Sequence, residues 1–368
     1  NVGTTYFEIS NCVFVDNHAA ILIDLSSPVE FNTLFNMTDS LFDNHHNGTV
    51  NVTTQTGQLE WHLDNTSFSH NNGAQGGAIY LQFQSAGPSL TANITLLWSS
   101  LYFSYNTANS TGGAIMISQV KTGNSSQFFW QLNSTKFVTN TAFSGGAVYV
   151  LLYGNQSLLM DQVTCLGNKA TAYGGCFDVS LLDDVSAPIH WIWTNSHLEG
   201  NLADQGSALY LTTAAPDVLA LTLNNVNWAG NLANTSATYL SLSSAGTCTL
   251  SIQNSTWSTN LGTVDASALT ISNEDKTPLV LQLSQVTFRA NVGPATFILG
   301  LTSTAAAHID IHGLDLQNNL GNSILAFQHL GVGSVNCSLT GLRSQNVSHA
   351  DGQATDGDVV VYLYSSPD

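Results

Sequence analysis

The sequence predicts an all-β protein: a right-handed parallel β-helix of about twelve three-stranded coils, forming one domain over residues 1–368. Two observations lead to this prediction. A large apolar residue followed three places later by asparagine recurs at intervals of about 30 residues, and a small-residue turn with a short apolar run comes after it. Alternating apolar and polar residues precede each copy, as in "LEWHLDN" and "LALTLNN", and this alternation is typical of β-strands.

One such unit cannot bury its own inward side chains, so successive coils have to stack and hydrogen-bond to each other at about 4.8 Å. Parallel crossovers are nearly always right-handed, which gives the predicted hand. We expect the apolar residues to stack in the interior, and the asparagines to bond along the axis at a turn where they adopt an unusual backbone conformation. The asparagines are Asn17, Asn44, Asn71, Asn106, Asn140, Asn168, Asn201, Asn231, Asn260, Asn291 and Asn319. The apolar residues three places earlier are Phe14, Leu41, Phe68, Phe103, Phe137, Cys165, Leu198, Trp228, Trp257, Phe288 and Leu316.

Glycine pairs such as those at Gly76, Gly112 and Gly145 follow the asparagines, and we expect them to supply positive φ angles. The alanine after each pair indicates a position with little more room than a methyl group needs. Short strands could also form a sandwich or a barrel, but neither fold requires the same residue at the same phase in eleven successive units.

The charge excludes some classes of partner. Six Lys and Arg residues stand against 24 Asp and Glu, for a net charge of -18, so the chain lacks the clustered basic side chains that nucleic acid and anionic membranes require. No run approaches the roughly 18 apolar residues of a membrane helix, so we expect no membrane insertion. Both ends of the sequence stand inside the repeat pattern, and we therefore expect a segment of a longer chain or fibre.

The phrases "FSHNNGAQGGAIYL", "FSYNTANSTGGAIMI" and "FVTNTAFSGGAVYV" resemble the repeats of chlamydial polymorphic outer-membrane proteins, whose signatures are GGA[ILV] and FxxN. The resemblance spans most of the chain and is strongest from Phe68 to Tyr210. It implies a β-helix displayed at a cell surface and involved in adhesion. Similar repeats occur in large secreted proteins of protists, and together with the glycosylation sequons they lead us to expect a eukaryotic, protist-like relative.

Thirteen N-glycosylation sequons occur, and we expect covalent N-glycans on an extracellular protein. Several of them recur at two phases of the coil, both at turns, whereas no asparagine of the interior series has Ser or Thr two places on. Drift of the repeats is the alternative explanation of this pattern. The sequon asparagines are Asn36, Asn47, Asn51, Asn65, Asn93, Asn109, Asn124, Asn133, Asn155, Asn234, Asn254, Asn336 and Asn346.

Five cysteines suit neither a dense disulfide scaffold nor a metal site. Cys165 occupies the phenylalanine position and Cys176 the alanine position of one coil, so both point inward; a disulfide and two packed thiols are both open. Cys12, Cys248 and Cys337 belong to distant coils and are expected to be small buried residues.

Polysaccharide lyases and hydrolases also use parallel β-helices, so an enzyme is one alternative. The adjacent carboxylates Asp183 and Asp184 have no basic residue nearby in sequence and are best explained as a solvated loop. His308, Asp310 and His312 alternate with apolar residues and are interpreted as an outward strand face rather than as metal ligands. The His45–His46 pair and the acidic turn with Asp351, Asp356 and Asp358 do not match a metal-binding pattern either. We predict no catalytic, cofactor-binding or metal-binding residues.

The sequence therefore favours an extracellular structural glycoprotein, a rod segment of a surface filament, appendage or coat. Unpaired strands at the ends of a β-helix would favour association with further copies or with neighbouring repeats. The first alternative is a surface adhesin that binds a glycan or a protein through one face, and the second is a polysaccharide lyase or hydrolase.

Overall fold

The computed structural model describes residues 4–18, 21–25, 32–54, 57–84, 92–120, 127–182, 188–214, 218–243, 246–273, 277–302, 305–321, 323–329 and 333–345. These residues form β-strands and no helix, and every strand pairing among them is parallel. The strands stack into the predicted parallel β-helix, with about ten turns; the predicted number of twelve coils is approximate. Within these residues there is no helix long and apolar enough to cross a membrane.

Three parallel sheets run along the axis. Each coil places the alternating strand and the strand of the Phe-x-x-Asn motif in sheet 1, the residues after the asparagine in sheet 3, and the apolar run after the glycines in sheet 2. Within the described ranges, sheet 1 has twenty strands: Thr4–Ser10, Val13–Val15, Asn32–Thr38, Leu41–Asp43, Gly57–Asp64, Ser67–Ser69, Ala92–Ser99, Tyr102–Ser104, Gln127–Asn133, Lys136–Val138, Asn155–Asp161, Thr164–Leu166, Pro188–Glu199, Val218–Ala229, Thr247–Gln253, Thr256–Ser258, Leu279–Arg289, Ala307–Gln317, Val335–Thr340 and Arg343–Gln345.

Sheet 2 has eleven strands in the part of the chain that the structure describes: Ile21–Leu25, Val50–Thr54, Ile79–Gln84, Ile115–Val120, Val148–Tyr153, Phe177–Leu182, Leu209–Ala214, Thr238–Leu242, Ala266–Asn273, Ala295–Leu301 and Ser323–His329. Sheet 3 consists of short pairings that isolated bridges join into one column: Asn72–Gly73, Thr107–Ala108, Thr141–Ala142, Lys169–Ala170, Leu232–Ala233 and Leu261–Gly262.

The interior is one continuous apolar core, and all seven tryptophans lie in it fully buried. Wide and narrow side chains alternate along the axis: Trp61 and Trp130 lie on either side of Leu96, while Trp98 lies between two leucines in the next inward column. Adjacent coils thus never place two indoles in the same column at this level, which lets the side chains interdigitate at the density of a protein interior.

The turns differ in one respect from the prediction. The interior asparagines do not take the unusual backbone conformation; the residue before each of them does, as at His70, Tyr105 and Thr139, whose φ angles are 53°, 55° and 55°. The first glycine of each pair has positive φ as predicted. The second is required for a different reason, because a Cβ on Gly77 would lie 2.2 Å from the carbonyl oxygen of Gly113 on the next coil.

Candidate functional site

The asparagine ladder is a continuous buried column of amides between sheets 1 and 3. Asn106 shows the repeating geometry: its Nδ2 donates to Oδ1 of Asn140 at 3.0 Å and to the carbonyl of Phe68 at 3.0 Å. Its Oδ1 accepts from the backbone N–H and from Nδ2 of Asn71 at 3.1 and 2.9 Å. Both donors and both acceptor positions of the amide are therefore used. Eight such amide–amide bonds of 2.9–3.0 Å join Asn71, Asn106, Asn140, Asn168, Asn201, Asn231, Asn260, Asn291 and Asn319.

The predicted ladder was wrong by one residue in the second coil. Phe42, not Leu41, aligns with Phe68, so His45 and not Asn44 takes the ladder position. His45 is fully buried, its backbone N–H donates to Oδ1 of Asn71 at 3.1 Å, and its Nε2 lies 3.3 Å from the carbonyl of Phe14. Asn44 instead lies outside with φ 59°. Sequon Asn47 is accordingly two residues past the ladder position, whereas Asn109 and Asn234 are three residues past Asn106 and Asn231.

The amide ladder does not extend into the first two coils. Among the described residues, the buried Nδ1 of His45 has no hydrogen-bond partner, and Asn17, predicted as a buried ladder member, is exposed. An imidazole cannot present the acceptor and two donors of an amide at the required spacing, so the amide chain stops at Asn71.

The aromatic column runs beside the ladder. Phe42, Phe68, Phe103 and Phe137 stack with ring centroids 4.9–5.1 Å apart and planes within 11° of each other. Cys165 and Leu198 continue the column, and Trp228, Trp257 and Phe288 follow with the first two rings 4.2 Å apart.

Cys165 and Cys176 are joined by a disulfide with Sγ atoms 2.07 Å and Cα atoms 6.2 Å apart. Both cysteines are fully buried, so the bond crosses the interior where other coils place phenylalanine and alanine. Cys248 is a buried thiol as predicted. The prediction was wrong for Cys337, which is exposed, and for Cys12, which is only half-buried.

The sequon asparagines lie on the outside wherever the structure describes them. Six are exposed and five are half-buried: Asn47, Asn65, Asn109, Asn234, Asn254 and Asn336, then Asn36, Asn51, Asn93, Asn133 and Asn155. Asn124 and Asn346 lie outside the described residues. The Ser or Thr of each sequon lies two places after the asparagine. It is fully buried at three sites, namely Thr49, Thr135 and Ser236.

A row of tyrosines on the outer face of sheet 2 is the feature that sequence reasoning missed. Tyr149, Asp178 and Tyr210 are register neighbours on three successive coils, and Tyr239 follows with its ring 5.3 Å from that of Tyr210. Tyr173, from the preceding turn, stacks on Tyr210 at 4.7 Å. The sequence did contain evidence for this row, because the fifth residue of the GGA phrase is Tyr in most copies.

Asp178 is only 4 % exposed although it points to the outer face. Burial raises the pKa of its carboxyl to about 7, against the opposing effect of a hydrogen bond with Ser144. Burial and the nearby Asp178 carboxylate also raise the pKa of Tyr149. The tyrosine row thus surrounds one carboxyl group that is easily protonated near neutral pH.

The other predicted residues lie as follows. His308 and His312 are exposed and Asp310 is half-buried, between the buried Ile309 and Ile311, so they form the predicted outward face. His46 is exposed. Among the described residues, no three His, Cys, Asp or Glu side chains are placed to hold a metal ion. Asp183, Asp184, Asp351, Asp356 and Asp358 lie outside the described residues.

The stacked coils, the amide ladder and the single apolar interior define a parallel β-helix repeat protein. Residues 100–118, which include Phe103, Asn106 and the Gly112 turn, match the family model of the Chlamydia polymorphic membrane protein repeat. This stretch therefore matches the family whose repeats the GGA and FxxN phrases resemble. No curated protein and no solved structure matches the chain.

Proposed function

We propose that this chain is an extracellular structural glycoprotein, a rod segment of a surface filament, appendage or coat, without catalytic activity and without a cofactor. The observation that supports it best is the unbroken amide ladder from Asn71 to Asn319. Each coil takes its hydrogen bonds from its neighbours, so the stack behaves as a quasi-one-dimensional body whose length is set by the number of repeats. The negative charge supports partners other than nucleic acid and membrane lipid.

A location at the cell surface has two supports. The matching repeat is named for a membrane protein of Chlamydia, and a structural disulfide is typical of proteins that fold in an oxidising compartment. Immunogold labelling of intact and permeabilised source cells tests the location. Labelling only after permeabilisation would contradict it, and electron microscopy of the released protein tests the rod.

The proposed N-glycans are supported by the outward position of every described sequon asparagine. Because a sequon is recognised together with its hydroxyl residue, the buried Thr49, Thr135 and Ser236 require that glycans at Asn47 and Asn234, and at Asn133, be added before the coil folds. Peptide mass spectrometry with and without glycosidase measures the occupancy of each site. Unmodified asparagines throughout native material would exclude the glycoprotein part of the proposal.

A surface adhesin is the second candidate, and the tyrosine row of sheet 2 favours it. Aromatic rings beside hydrogen-bonding groups suit a glycan or a protein partner. Glycan arrays and pull-downs with intact host cells, compared with a Tyr173→Ser, Tyr210→Ser variant, test this function. If the variant binds as well as the wild type, this face is not the binding surface.

Incubation with acidic and neutral polysaccharides tests the proposed absence of catalysis, and cleavage of any of them would contradict it.

A further inference from the structure

An aliphatic column runs along the outer side of sheet 3 in the second half of the stack. It consists of the residue after each ladder asparagine on five successive coils: Leu202, Leu232, Leu261, Val292 and Leu320. The exposed fraction is 40 % for Leu232, Leu261 and Val292 and 37 % for Leu320. The same column is polar on the preceding coils, where it carries Asn72, Thr107, Thr141 and Lys169.

The bend beside this column is open. Gly200 and Gly230 occupy the corner between sheets 1 and 3, and a Cβ on Gly200 would meet nothing within 4 Å. Another molecule can therefore come close to the backbone here, with the aliphatic column on one side of the corner.

The outward column on the other side of the corner carries opposite charges at its two ends. Glu199, Ala229, Ser258 and Arg289 are register neighbours on four successive coils. Glu199 lies on the coil of Leu202 and Arg289 on the coil of Val292, and both charged residues are exposed.

We propose that two copies of this chain pair side by side and antiparallel through the aliphatic column. A two-fold axis between the coils of Leu232 and Leu261 brings these two residues of opposite copies together, and Leu202 then meets Val292 of the other copy. The same axis keeps the charged columns on one side, so Glu199 of each copy faces Arg289 of the other. The pairing is isologous, with two complementary ion pairs.

A second copy fits this surface better than other occupants do. The side chains repeat at about 4.8 Å, whereas those on one face of an extended strand repeat at about 6.6 Å, so a matching stack of coils is the partner that can interdigitate along the column. Five partly exposed aliphatic side chains leave an apolar area well below the ~800 Å² per partner of a standard interface. We therefore expect weak pairing that becomes significant where copies are concentrated. This inference rests on the proposed rod function and names its lateral partner.

Sedimentation velocity over a concentration series at physiological ionic strength tests the pairing. We expect a monomer–dimer equilibrium, weakened at least tenfold by Glu199→Arg or by Arg289→Glu alone. The double variant with both reversals should recover dimerisation, because each reversed charge again faces its opposite. Monomers throughout the series, or a double variant no better than the single ones, would overturn the inference.

Leu232→Thr with Leu261→Thr should abolish the dimer. Threonine already occupies this column at Thr107 and Thr141, so folding should be retained, which thermal unfolding checks. Ile192→Thr is the matched control, since Ile192 is 42 % exposed on sheet 1 away from the column. An equal loss in the control would exclude the column as the contact. Glycosidase-treated protein should pair more tightly than native protein, because sequon Asn234 is exposed two residues after Leu232 and a glycan there would hold the two columns apart. Treated protein that stays monomeric would overturn the inference. Monomeric rods that still label the cell surface would refute the pairing alone.

Discussion

Asp178 makes the stability of the β-helix depend on pH in a direction opposite to that of most carboxylates. Its carboxyl lies against the outer face of sheet 2 with Tyr149 and Tyr210 on the neighbouring coils and Ser144 as its hydrogen-bond partner. Burial raises its pKa from an ordinary value of 3.8 to about 7. The folded protein therefore binds a proton that the unfolded chain has already released between these pH values.

The sign and size of the effect follow from this difference. The protonated Asp178 carboxyl contributes its full stabilisation of the folded protein below pH 4. This contribution is lost as the pH rises from 4 toward 7, and it is absent above pH 7. At about 1.4 kcal/mol per pKa unit, the rise from 3.8 to about 7 corresponds to about 4 kcal/mol of unfolding free energy. Asp178→Asn keeps the shape and the hydrogen bond to Ser144 but cannot ionise. We expect it to match the wild type at pH 4 and to exceed its stability by about 4 kcal/mol at pH 8.

Denaturant unfolding between pH 4 and pH 8 measures the effect as the difference between the two proteins, which removes the contribution of the other acidic residues. Asp161→Asn is the control of opposite sign. Burial opposes ionisation of Asp161, but hydrogen bonds from Thr194, Asn195 and Gln162 outweigh it and lower the pKa. This variant should be less stable than the wild type at neutral pH, with the difference disappearing in acid. Parallel curves for Asp178→Asn and the wild type would refute the reasoning.

Three further predictions concern the interior. Asn140→Ala should cost about 4 kcal/mol in denaturant unfolding because it leaves two buried donors of the preceding ladder asparagine unpaired, whereas the outward Thr141→Ala should change little. His45→Asn should extend the amide ladder by one coil and raise amide-exchange protection in the first two coils. Unchanged protection would mean that the unpaired Nδ1 of His45 does not destabilise these coils. Replacing both Cys165 and Cys176 by serine should lower the unfolding free energy by about 3 kcal/mol. The pair Cys165→Leu and Cys176→Ala, which introduces the residue types of the adjacent coils, should recover part of that loss. Equal losses in the two pairs would show that the linkage itself, not packing, is what matters.

Much of the ladder could be predicted because its requirements are local and repeated. Phe68, Asn71 and the glycine turn that follows must satisfy the same sterics in every coil, so the periodic phrase reveals which residues point inward. The failure in the second coil has a physical reason. The stretch "LFDNHHN" offers two apolar residues and several candidates for the ladder, and only the stacking of Phe42 on Phe68 selects His45 over Asn44.

The sequence alone determined the β-helix, its inward columns and the outward side of its sequons, because side-chain alternation and coil length are properties of each repeat by itself. Only the tertiary structure decided what lies together on the outer surface. The coils differ in length, so residues about 30 positions apart become neighbours only after every register is set. That stacking places Asp178 among the tyrosines. It also places Glu199 three coils from Arg289, beside an aliphatic column.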